Sequence, residues 1–86
     1  MKISELQIIP IKANNGLIAM VNLVYENNLF LGSIGVHKKI DGNGYRLTFP
    51  TKKIGAKDFN IYHPINKELS KEIEKEIFEK IKHIFN

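Results

Sequence analysis

Residues 17–38 read LIAMVNLVYENNLFLGSIGVHK, and the reading of this stretch decides the fold. Leu17–Tyr25 and Leu29–Lys38 are rich in aliphatic, β-branched and aromatic residues, and Glu26-Asn27-Asn28 separates them. Such side chains suit the pleated, half-buried surface of a sheet. Asparagine tolerates the left-handed backbone that a tight reversal demands. Two antiparallel strands are expected. In the second, Leu29, Leu31 and Ser33 are expected on one face and Phe30, Gly32 and Ile34 on the other. Gly32 and Gly35 within it signal a bulge or a close backbone approach.

Upstream, Ile3, Leu6, Ile8, Ile9 and Ile11 form another β-rich run, joined to the first by the turn signal Asn14-Asn15-Gly16. Asn-Gly favours a two-residue hairpin because both positions need φ > 0. Pro10 cannot donate to a ladder, which places this strand at an edge or breaks it there. Downstream, Asp41-Gly42-Asn43-Gly44 is the strongest turn in the chain and leads into Tyr45–Pro50. There Tyr45, Leu47 and Phe49 alternate with Arg46 and Thr48, so one face is apolar and the other wet. Thr51–Asp58 (TKKIGAKD) is expected as a basic loop, and Phe59–Tyr62 as a short additional strand. His63-Pro64 gives an extended entry to the C-terminal segment.

Residues 66–85 are helical by periodicity. Leu69, Ile73, Ile77, Ile81 and Ile84 recur at steps of three and four and make one apolar stripe, which Phe78 and Phe85 widen. Asn66 is the expected N-cap, with Ser70 the alternative. Glu76→Lys80 and Lys75→Glu79 are spaced as solvent-side i,i+4 pairs. The expected fold is therefore α+β: a small, mostly antiparallel, twisted sheet of four to five strands with one C-terminal amphipathic helix, in a single domain spanning 1–86.

The chain has 86 residues and no cysteine. A domain of this size buries only roughly 60–65% of its unfolded surface, so its core is thin. Disulfides, thiol catalysis and cysteine-based zinc sites are excluded. His37, His63 and His83 lie far apart and lack metal-ligand spacing, so neither a metal nor another cofactor is expected. No apolar run is long enough for a membrane span and the start is not a signal peptide, so a cytoplasmic protein is expected. Catalysis is not expected either: His37, Asp41, Asp58 and His63 fall in no known catalytic spacing, and no P-loop or dinucleotide fingerprint is present. No small-molecule substrate is expected from the sequence.

The net charge of +4 is unevenly placed. Residues 66–86 hold five lysines and five glutamates, so the excess lies in residues 1–65. Residues 36–57 carry six cations, Lys38, Lys39, Arg46, Lys52, Lys53 and Lys57, against the single acid Asp41. A localised basic stretch is what a polyanion-binding face needs, although lysines also simply keep small domains soluble. Lysine suits phosphate contact better than bidentate base reading. Tyr45 and Tyr62 are placed to stack on bases, but their alternation with Leu47 and Ile61 favours packing.

The order DGNGYRLTFPTKK from Asp41 to Lys53, then Phe59, then His63-Pro64-Ile65-Asn66 ahead of a terminal helix, resembles the stage V sporulation protein G (SpoVG, septation regulator) family. FPTKK and HPIN at this spacing carry the resemblance, which extends over nearly the whole chain. It implies a sheet with a C-terminal helix, a homodimer, and a small bacterial regulator that binds DNA and in some members RNA, without enzymatic activity. The family's Ser-Lys-Arg triplet, tied to DNA binding, maps onto Thr51, Lys52 and Lys53. Lysine in place of the final arginine weakens a bidentate guanine contact and leaves phosphate contact intact. The segment Ile54–Asp58 is one residue shorter than usual and lacks the family's Pro-Asp-Gly; the first strand lacks the arginines often found there.

Two functions stand as expectations. In the first, a dimeric regulator contacts nucleic-acid phosphates through Thr51, Lys52 and Lys53, helped by Lys57, Lys39 and Arg46, with the Pro10 edge strand or the helix supplying the dimer surface. In the second, a protein-interaction module regulates cell division or septation without direct nucleic-acid binding.

Overall fold

The computed structural model describes residues 3–42 and 44–85, with the side chains of 13, 14 and 85 also outside the description. Along the chain run β1 (Ile3–Asn14), β2 (Leu17–Tyr25), β3 (Leu29–Lys38), β4 (Tyr45–Thr48), β5 (Thr51–Ile54), β6 (Lys57–Asn60) and α1 (Lys67–Phe85). The first four strands form an antiparallel sheet in the order β1-β2-β3-β4. β5 and β6 form a second, two-stranded sheet. The fold is α+β, as expected.

Turn chemistry sets the registers. Asn15 (φ 52) and Gly16 (φ 90) make the two-residue turn that leaves Asn14 opposite Leu17, the type I′ geometry that Asn-Gly favours. Glu26 (φ 50) and Asn27 (φ 57) reverse the chain between β2 and β3, closed by Asn28 N donating to Tyr25 O at 3.0 Å. Asn43 of the next turn lies outside the described residues; Lys39 N donates to Gly44 O at 3.0 Å across that loop's neck.

The sheet is irregular where the sequence pattern slips. Against Asn22 of β2, strand β3 carries one extra residue, and Ser33 takes φ 61. Leu31 and Ile34, opposite Leu23 and Val21, therefore share the core face. This corrects the simple alternation expected from the sequence, which separates them. Asn22 stabilises the bulge: its Oδ1 accepts from Ser33 N at 3.3 Å, while its Nδ2 donates to Gln7 Oε1 at 3.4 Å. A second bulge lies in β1 at Glu5 (φ 49), and Lys80 Nζ of the helix reaches the neighbouring Leu6 O at 3.1 Å.

The core lies between one face of the four-stranded sheet and α1. Ile3, Ala19, Val21, Leu23, Ile34 and Val36 meet Ile73, Ile77 and Ile81. Each isoleucine fully withdrawn from water contributes about 1.5–3 kcal/mol of transfer free energy. Tyr45 and Leu47 are half-buried on the core side of β4, and Tyr45 packs on Phe78 with ring centroids 6.1 Å apart. Ile84, expected on the apolar stripe, is 43% exposed and lines a groove with Ile3 and Leu6 of β1. The Phe85 side chain lies outside the described residues. Asn66 is the N-cap: its Oδ1 accepts from Glu68 N at 2.7 Å and Leu69 N at 3.2 Å. Ile73, Ile77 and Ile81 of the stripe are buried on the helix's own sheet. No helix among the described residues is long and apolar enough to cross a membrane.

Candidate nucleic-acid interface

Residues 51–60 do not form a loop. Thr51–Ile54 pairs with Lys57–Asn60, and Gly55-Ala56 turns the chain, with Gly55 at φ 64. A Gly-X pair between two short runs is itself a hairpin signal of the II′ kind. The run lacks the apolar alternation that marks a half-buried strand, because every residue from 51 to 60 is exposed. A hydrogen bond from Ile61 N to Pro50 O (2.9 Å) closes the hairpin at its base. The Cα radius of gyration is 13.2 Å, against about 12 Å for a compact chain of this length. The hairpin is an arm that projects from the body.

The register divides the predicted residues between the arm's two faces. Lys52 lies opposite Phe59, and Ile54 opposite Lys57. Side chains alternate along a strand, so Lys52, Lys57, Ile54 and Phe59 share one face. Thr51, opposite Asn60, and Lys53, opposite Asp58, share the other. The triplet Thr51-Lys52-Lys53 is thus split, and Lys53 has a carboxylate as its cross-strand neighbour. The Lys52 face joins two cations to two exposed apolar side chains, Ile54 at 58% and Phe59 at 48% exposure.

Lys39 and Arg46 lie elsewhere. Arg46 is near the start of β4, five residues before the arm begins, a span of up to about 17 Å for extended chain. With Asn15, Gly16, His37, Lys38 and Ile40 they line a groove of about 360 Å³ at the end of the main sheet. Sequence reasoning did not group these, because the turn before β2 and the ends of β3 and β4 meet only in the fold. His37 and Arg46 are cross-strand partners. His37 Nε2 pairs with Thr48 Oγ1 at 2.9 Å, and its buried Nδ1 makes no hydrogen bond among the described residues. Burial and, secondarily, the Arg46 charge hold the His37 pKa below its ordinary value. Protonation would bury an unpaired N–H beside a guanidinium.

Tyr45 and Tyr62 pack rather than present free rings. Tyr62 donates its hydroxyl to Gly32 O and meets Phe49 edge-on at 5.9 Å. Burial raises its pKa. The Phe49 and Tyr62 rings flank an apolar cleft of about 220 Å³, lined also by Tyr25, Leu29, Leu31 and Pro64. No cluster of three or more potential metal ligands occurs among the described residues.

The fold and site define a class: a small α+β domain with a basic two-stranded arm. The chain belongs to the SpoVG family, whose model matches residues 1–83. It is 34% identical over 89 aligned positions to a relative from each of two strains of Clostridium perfringens, covering 98% of this chain and 96% of the relative. It is 31% identical over 88 positions to a relative from Clostridium novyi, covering 100% of this chain and 85% of the relative. All three relatives are named, provisionally, as septation protein SpoVG.

Proposed function

We propose that this chain is a small bacterial regulator of septation or sporulation that binds DNA, and also RNA, as a homodimer through its β5–β6 arm, acting by binding rather than catalysis. The observation that carries the reading is the arm itself: a fully exposed two-stranded ribbon whose one face sets Lys52 and Lys57 beside Ile54 and Phe59. A two-stranded ribbon in isolation is only marginally stable in water, so a partner surface stabilises it. The major groove of duplex DNA admits a ribbon of this width. Lys52 and Lys57 contact phosphates first; Lys53 and Thr51 contribute less, because Asp58 offsets the Lys53 charge. Lys39 and Arg46 are not part of the arm contact. For the dimer, β1 keeps an open outer edge, and the sheet face away from the helix exposes Ile9 and Phe30. The names of the relatives support the septation role.

The protein-interaction reading draws on the apolar cleft beside Tyr62 and the exposed Ile61 and Ile65 near it. Fluorescence anisotropy separates the two, using labelled duplex DNA and single-stranded RNA at low salt with light scattering for the oligomeric state. Lys52→Ala/Lys57→Ala is expected to lose at least tenfold in affinity, and Lys53→Ala less, with circular dichroism unchanged. Equal binding by all variants, or none by the wild type, would move the protein-interaction reading ahead.

A further inference from the structure

The groove at the end of the main sheet has a chemistry the arm does not explain. Two backbone contacts hold its walls: Lys38 N donates to Gly16 O at 2.8 Å, and Lys39 N to Gly44 O at 3.0 Å. Lys38, Lys39 and Arg46 line it together with His37; among the described residues the lining holds no acid, and Asp41 follows Ile40 in the adjoining turn. Arg46 shares a face with His37, its cross-strand partner, and Lys39 follows the end of β3, whereas Lys38, opposite Tyr45, lies on the other face of the strand. Two permanent cations beside one concavity repel one another, and an anion between them relieves that repulsion. A guanidinium on a strand presents a planar fork suited to two oxygens of one phosphate. The volume of about 360 Å³ falls in the range of small-ligand sites rather than a flat lysine surface. Ile40, fully exposed at the rim, gives one apolar wall.

We propose that this groove is a second anion site, separate from the arm, which takes the phosphate of a single nucleotide between Arg46 and Lys39, with the sugar or base against Ile40. His37 reports its occupancy. The ring is faced by Arg46 and Thr48 from β4 and by Leu17 from β2, with Lys38 next along its own strand and Lys39 just beyond the strand's end. A phosphate at Arg46 cancels the nearest repulsion, so the ring takes up a proton more readily when the groove is filled.

The test is NMR titration of the full chain with inorganic phosphate, with AMP, and with a short single-stranded DNA lacking terminal phosphates, all at ionic strength matched by sodium chloride. AMP is expected to give saturable shifts at the Gly16, Lys38 and Lys39 amides and the Arg46 side chain, with a rise in the His37 pKa. Arg46→Gln and Lys39→Gln are each expected to weaken AMP at least tenfold, whereas Lys52→Ala/Lys57→Ala leaves it unchanged. Shifts that sodium chloride reproduces, that spread equally to the arm lysines, or that survive Arg46→Gln would overturn the proposal. So would binding of the oligonucleotide without AMP, which would make the groove part of a nucleic-acid track. Failure here leaves the arm reading intact, because DNA affinity of the arm variant is read separately.

Discussion

Replacing Gly35 by alanine probes the packing of the sheet face that carries His37. Gly35 has no positive φ, so the backbone accepts alanine and the effect is steric. A Cβ there would stand 2.7 Å from Thr48 Oγ1, 3.1 Å from Leu17 Cδ1 and 3.4 Å from His37 Nε2. The Thr48 hydroxyl sits on a short side chain, and turning it away breaks its 2.9 Å contact with His37. Overpacking costs about 1–3 kcal/mol, and the lost hydrogen bond about 0.5–1.5 kcal/mol more. The expected loss is therefore about 2–4 kcal/mol, a large share of the roughly 4–13 kcal/mol that a chain of this length supports. Urea unfolding followed by circular dichroism, at one fixed protein concentration, measures it. Thr48→Ala removes the obstructing hydroxyl, so Gly35→Ala/Thr48→Ala is expected to cost at least about 1 kcal/mol less than the sum of the single changes. A Gly35→Ala cost below about 0.5 kcal/mol, or strict additivity, would refute the packing argument.

Three further outcomes are expected. Asn66→Ala leaves the Glu68 and Leu69 amides without their acceptor and is expected to cost about 1 kcal/mol in the same assay, with Asn66→Asp restoring most of it. Tyr62→Phe is expected to cost about 1 kcal/mol through the lost bond to Gly32 O. Because the folded protein holds the phenol above its ordinary pKa of 10.0, stability contributed by neutral Tyr62 falls as pH rises above about 10, and this fall is expected to be absent in Tyr62→Phe. His37 runs the other way: its folded pKa lies below 6.5, so the contribution is present above that value and is lost as pH falls through the folded pKa. Urea unfolding between about pH 7 and 5 is expected to show a smaller decline in His37→Gln than in the wild type.

What was legible in the sequence is what short-range chemistry decides. The bounds of β2 and β3, the Asn15-Gly16 turn and the Asn66 cap are set by residues close to one another along the chain. The helix stripe of Leu69, Ile73, Ile77 and Ile81 is legible because burial on one side imposes a 3.6-residue period. The faces of β3 were not, because a bulge at Ser33 shifts the alternation by one, and its stabiliser is Asn22 on another strand. The β5–β6 hairpin was hidden because no face of it is buried, so no apolar alternation marks its strands; only Gly55-Ala56 signalled the turn. The basic stretch was visible, but its division between the arm and the end of the main sheet was not. That division depends on cross-strand register, which pairs Lys52 with Phe59 and Arg46 with His37.

The central claim is that the Lys52 face of the arm makes the phosphate contacts, and the salt dependence of duplex DNA binding tests it most directly. In the proposed homodimer, two lysines on each of two arms give about four phosphate contacts and a slope of log K against log salt of about −3.6. Between roughly 50 and 200 mM salt the affinity is then expected to fall by about 150-fold. In Lys52→Ala/Lys57→Ala the slope is expected to flatten to about −1 or less in magnitude as affinity drops. A double variant that keeps the wild-type slope would contradict the account, since its phosphate contacts would then lie elsewhere on the molecule.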